Sequence, residues 1–229
     1  CDIDSAEFTE DIDRFARLCK VVNSLKKARI LAVGTRPGPF QTVRYSEKLL
    51  QKYGITVLVE DIGNIIARAR ELDNSEEIQK RMDLIRSYAQ TAPDAPGEKL
   101  EKLARFGLAM EEAVEKSGAV AGAVQCWSVL QNQFGCASCL AMSMLGEKGI
   151  PQACELDVTG ALTMYALSLA AGSPAGYLDW NNNLGEDRDT CINFHCSNYP
   201  ASFMGRKPAL GVLDILGTQL GYENCYGAC

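Results

Sequence analysis

Three short apolar runs of this sequence each stop at a side chain able to hold a cation. Ile150–Cys154 stops at Glu155, Ala175–Leu178 at Asp179 and Cys191–Phe194 at His195. Two carboxylates and one imidazole form an oxygen-rich, partly nitrogen donor set, suited to Mn²⁺, Mg²⁺ or a similar cation rather than to a closed thiolate zinc centre. A carboxylate at Glu155 inside an apolar run costs several kcal/mol to bury unpaired, on the order of what a metal or a hydrogen-bonding ligand would offset. Trp180, next to Asp179, is placed to wall a pocket, and Asn181 and Gln131 to hydrogen-bond a substrate's hydroxyls.

The positioning elements follow from the pattern. Ligands of open parallel sheets sit beyond the carboxyl ends of the strands, so three buried strands ending in donors would converge on one crevice. The stretch between Glu155 and Asp179 has room for one helix, predicted over Gly160–Ala171, and two turns, the length of a crossover between parallel strands.

Upstream, apolar positions from Phe8 to Leu25 recur at helical spacing and predict an amphipathic helix. Ala28–Gly34 reads as a buried strand, Thr35–Phe40 as a Gly/Pro loop, Thr42–Tyr53 as a helix closed by Gly54, and Ile55–Val59 as a second strand. Strand, loop, helix, strand is a βαβ unit, which makes the sheet parallel and the chain α/β and doubly wound, with helices on both faces. The Gly34 loop has neither glycine-rich nucleotide fingerprint, and Arg36 and Arg44 beside it read as capping or surface residues.

From Ile62 to Gly118 the sequence is helical and charged, with a two-proline turn at Ala92–Gly97. Ala119–Val124 is a third strand, ending at Gln125, and Ala137–Lys148 a helix ended by Gly149. The division expected is an α/β domain with its N-terminal helix over residues 1–204, then the start of a truncated, β-rich module over 205–229.

Composition excludes several classes. With 29 acidic and 23 basic residues the net charge is −6, and no basic cluster offers a footprint for nucleic acid or an anionic membrane. No apolar run is long enough to span a bilayer, so a cytoplasmic protein is expected. Ten cysteines in a chain with ample core read as reduced, buried small hydrophobes. The Cys136–Cys139 CxxC has no second pair to complete a zinc site, and the chain has one histidine.

The strings RPGPFQTVRYSE, QCWSVLQNQFG, GIPQACELDVTGALTM, LDWNNN and FHCSNYP resemble the L-fucose and L-arabinose isomerase family, its fucose-isomerase-like group in particular, from about Lys26 to Pro200. The resemblance implies a Rossmann-like domain, the second of two, followed by the start of a C-terminal β-rich domain. It implies interconversion of an aldose and a ketose through a cis-enediol, with Mn²⁺, or Mg²⁺ or Co²⁺, as cofactor and a monosaccharide as substrate. Glu155 and Asp179 match the family's acidic metal ligands, which are also its acid and base, and His195 matches a histidine ligand of the arabinose isomerases. The family's further histidine, from its C-terminal domain, has no counterpart here, so the chain is expected to be a fragment inactive alone, from a homo-oligomeric parent. Two other readings stand beside this one: a non-catalytic sugar-binding or regulatory α/β module, and a zinc or redox protein built on Cys136 and Cys139.

Overall fold

The computed structural model describes residues 2–92, 96–196 and 198–229, so residues 93–95 of the proline turn at Ala92–Gly97 lie outside the described residues. In chain order the elements are α1 (Ala6–Leu25), β1 (Arg29–Val33), α2 (Glu47–Lys52), β2 (Thr56–Glu60), α3 (Ile62–Glu71), α4 (Ser75–Tyr88), α5 (Gly97–Ser117), β3 (Ala121–Val124), α6 (Val129–Gln133), α7 (Cys139–Glu147), β4 (Gln152–Ala153), α8 (Val158–Ala171), β5 (Asp179–Leu184), β6 (Asp187–Phe194), α9 (Ala201–Met204), β7 (Gly211–Val212), α10 (Asp214–Leu220) and β8 (Tyr226–Ala228).

Four parallel strands form the main sheet in the order β2-β1-β3-β4. Its central strands are apolar at successive positions because both faces are covered. Leu31, Val33 and Val124 point toward α3, α4, α5 and α7, whereas Ile30, Ala32, Ala121 and Ala123 point toward α8. The small alanines on the second face let α8 lie close to the sheet. The chain therefore has the α/β, Rossmann-like architecture expected of it, with helices on both faces.

Helix caps fix the element starts. Asp157 begins α8 by accepting from the Gly160 amide (2.8 Å), and Ser46 begins α2 by accepting from the Leu49 amide (3.3 Å). The helix foreseen from Thr42 is thus shorter, beginning at Glu47. Helix α1 spans its predicted range and packs on α8, yet Ile12, Phe15, Leu18 and Val22 on it are exposed.

Two predicted strands are corrected. Ala175–Leu178 is not a strand, and Cys191–Phe194 is not a buried strand of the parallel sheet. Asp179–Leu184 and Asp187–Phe194 instead pair antiparallel as an exposed ribbon outside the main sheet. Only Gly185 and Glu186 separate the paired ends, and Gly185 takes φ +59°. A two-residue connection joins antiparallel neighbours, whereas a parallel pair needs a crossover of a dozen or more residues.

Beyond α9 the chain returns to the body. Leu213, Leu216 and Cys225 bury against Ala137 and Cys139, and the Ala137 amide donates to the Tyr226 carbonyl (2.8 Å). Among the described residues no helix is long and apolar enough to cross a membrane.

Candidate functional site

The strand order places β1 and β3 side by side while their chain continuations leave in opposite directions, a topological switch point where open α/β sheets bind ligands. At that point the Gln125 side chain accepts from the Thr35 amide (2.9 Å), joining the two loops. Gly34, at φ +90°, makes room for it: a Cβ there would stand 2.5 Å from Gln125 Oε1. Above this, Phe40 meets Trp127 edge-on at 5.2 Å.

One strand further along, β4 delivers Glu155, only 6% exposed. Glu155 and Leu156 both take left-handed backbone, φ +54° and +59°. Such geometry costs about 1–3 kcal/mol per non-glycine residue and concentrates at functional sites. It turns the chain out of β4 while the Leu156 amide still donates to Val124 (3.1 Å) and the Glu155 amide to Cys126 Sγ (3.3 Å). The Glu155 carboxyl accepts from the Cys126 thiol (3.5 Å) and faces His195 Nε2 at 3.6 Å, both side chains being buried. His195 is held against the Tyr177 ring at 5.1 Å, and the Tyr199 hydroxyl donates to the His195 carbonyl (3.0 Å). Tyr177 in turn donates to Asp157 (3.0 Å), the cap of α8.

The acid–base shifts in this crevice share one direction. The Cys154 thiol is raised, first by its hydrogen bond with Cys126, then by burial and by Glu155. Burial, aided by Cys126 and Glu155, pushes Cys196 up to about 12, and burial with Cys196 and Asp179 pushes Tyr199 to about 12. Burial and the acidic Asp157 also raise Tyr177. Burial is the first cause for Cys196, Tyr199 and Tyr177, and neighbouring acidic groups add to it.

Of the residues singled out from sequence, Glu155 and His195 come together. Asp179 opens the exposed ribbon, paired with Phe194, and its charge reaches Cys196 and Tyr199. Trp180 is 81% exposed on that ribbon, and Asn181 is exposed beside it. Gln131 is 1% exposed: its amide donates to the Cys126 carbonyl (2.9 Å), and its Oε1 is buried with no hydrogen-bond partner among the described residues. Cys136 of the CxxC is buried, its thiol pushed up to about 12 by that burial, and Cys139 is buried too.

Sequence reasoning missed Cys126 and Cys154. Among the described residues, the donors that gather within 4.8 Å of one another are Cys126, Cys154 and Glu155. The signal was present in the strings VQCW and QACE, where a cysteine falls within two residues of the end of each of two neighbouring strands.

No protein-family model matches the chain. The chain is similar to a sulfoquinovose isomerase of Alkalicoccus urumqiensis, 26% identical over 194 residues, which cover 80% of this chain and 42% of that protein. It is also similar to the sulfoquinovose isomerases of Priestia megaterium (26% over 195 residues; 84% and 43%) and of a Clostridium species (27% over 193 residues; 83% and 42%). The chain thus spans less than half the length of these curated relatives.

Proposed function

We propose that the protein carrying this chain is a ketol isomerase that interconverts an aldose and its ketose, and that Glu155 acts on the sugar's C1–C2 unit. The observation that carries this reading is the buried Glu155–His195 pair, 3.6 Å apart, with Glu155 on left-handed backbone just beyond β4 of the parallel sheet, in a chain similar to sulfoquinovose isomerases.

The donor chemistry fits a divalent cation. Glu155 and His195 would hold it, with Asp179 as a further oxygen ligand from the ribbon, and an Mn²⁺-type ion there would supply Lewis-acid polarisation of the sugar oxygens. The residues then have separable tasks. Glu155 takes the proton from C2 of the open-chain aldose while the carbonyl oxygen gains one, giving a cis-enediol. Return of a proton to C1, with loss of the O2 proton, gives the ketose, and Asp179 serves as the partnering acid and base. Tyr177 and Tyr199 fix the His195 ring, and Phe40 with Trp127 excludes water beside the switch point.

The substrate class follows from the relatives' names: a hexose carrying a C6 sulfonate is the first candidate, and the L-fucose or L-arabinose type the second. The test is isomerisation of sulfoquinovose, L-fucose, L-arabinose and D-arabinose in D₂O with Mn²⁺, Mg²⁺ or Co²⁺, followed by NMR. Ketose formation with solvent deuterium entering at C1 or C2, reduced at least about 10²-fold in Glu155→Gln, is the expected result. An absence of interconversion of any of these sugars with any of the three ions would overturn the reading.

A further inference from the structure

Two thiols stand beside the carboxyl group that the isomerase reading uses, and that reading gives them no task. Cys126 ends the turn out of β3 and Cys154 the turn into Glu155, so adjacent parallel strands bring both sulfurs and the carboxyl together, all three groups buried. Among the described residues, the one hydrogen bond the Glu155 carboxyl accepts comes from the weak Cys126 S–H donor.

We propose that Cys126, Cys154 and Glu155 form a binding site for a thiophilic divalent cation, of which Zn²⁺ is the representative. The distances suit it. In a tetrahedral site with Zn–S about 2.3 Å and Zn–O about 2.0 Å, a sulfur and an oxygen ligand stand about 3.5 Å apart. Cys126 Sγ and Glu155 Oε1 are 3.5 Å apart, and the three donors lie within 4.8 Å of one another. Three protein ligands leave the fourth tetrahedral position to a solvent molecule, the arrangement of an open zinc site.

Ligand softness separates this set from the oxygen and imidazole set around the same glutamate. Thiolates select Zn²⁺, whereas carboxylates and water suit Mn²⁺ and Mg²⁺. The two sets share Glu155. A zinc ion bound by the cysteines therefore withdraws Glu155 from sugar chemistry, a consequence that rests on the isomerase reading, although the site itself does not.

The experiment titrates Co²⁺ into the reduced, metal-free protein and records its absorption. The expected result is a near-ultraviolet thiolate-to-cobalt charge-transfer band that saturates at one equivalent, is lost in Cys126→Ala and in Cys154→Ala with at least a tenfold fall in Co²⁺ affinity, and is kept in Cys136→Ala. X-ray absorption of the zinc-loaded wild-type protein avoids any question of variant folding and should show two sulfur neighbours at about 2.3 Å. A zinc shell of oxygen and nitrogen alone, or a cobalt band that survives in both cysteine variants, would overturn the proposal. Neither readout involves sugar turnover, so a protein that isomerises no sugar leaves the thiolate site standing. A missing thiolate signal removes the site even where Mn²⁺-dependent isomerisation is found.

Discussion

Replacing Glu155 by glycine should make the metal-free protein more stable while destroying its proposed chemistry. Glu155 holds φ +54°, a conformation costing an L-residue roughly 1–2 kcal/mol that glycine adopts freely. Glycine returns about 0.5–1 kcal/mol of that through its larger unfolded-state entropy. The carboxyl, 6% exposed and hydrogen-bonded among the described residues by a thiol alone, carries a desolvation cost of about 1–3 kcal/mol that its contact with His195 at 3.6 Å offsets only in part, and the variant removes both. The net gain is about 2 kcal/mol, or roughly 4–8 °C in Tm for a chain of this size. Urea denaturation and calorimetry of wild type, Glu155→Gly and Glu155→Gln, all without metal, provide the assay. The glutamine variant keeps the backbone cost and should gain less. A loss of more than about 1 kcal/mol in Glu155→Gly would refute the reasoning and make Glu155 a structural group.

Other parts of the fold make further predictions. Gly34→Ala must place a methyl 2.5 Å from Gln125 Oε1 at φ +90°, so it should cost more than about 2 kcal/mol in a denaturant titration. Glu111, between helices α4 and α5, is raised by burial but lowered more by its hydrogen bonds to Arg81 and Lys148, so its pKa ends below the ordinary carboxylate value. That stabilisation is full above the unfolded-state value and is lost as the pH falls through the folded one. Wild type should therefore weaken from about pH 5 to 3 more steeply than Glu111→Gln, which at pH 7 costs about 3 kcal/mol by leaving Arg81 unpaired. The buried Cys136 thiol, at about 12, should resist iodoacetamide at pH 8 in the folded protein and react only on unfolding, as followed by mass spectrometry.

The sheet was legible where periodicity and burial coincide. Ala28–Gly34, Ile55–Val59 and Ala119–Val124 are continuous apolar runs bounded by glycine or polar residues, and each contains a strand of the parallel sheet. The run Ile150–Cys154 contributes only Gln152–Ala153, because the left-handed turn at Glu155 and Leu156 takes the chain away from β3. Cys191–Phe194 misled because apolar composition alone does not distinguish a core strand from a ribbon exposed on both faces, where Phe194 and Trp180 stay in solvent. The deciding signal was Gly185–Glu186, too short for anything but a hairpin. Within the candidate site, Glu155 was legible because a charged residue in an apolar run needs a reason. Cys126 and Cys154 were not, since cysteine in a core ordinarily behaves as a small hydrophobe and only the β3–β4 pairing brings the two together.

In the proposed isomerase, Glu155 and His195, with Asp179 as a further ligand, bind a divalent cation for sugar isomerisation. Calorimetric titration of Mn²⁺ into wild type, Glu155→Gln and Asp179→Asn tests it most directly. One saturable site is expected in wild type, weakened at least tenfold in each variant. Unchanged Mn²⁺ affinity in both variants, or no Mn²⁺ binding by the folded wild-type protein, would contradict it.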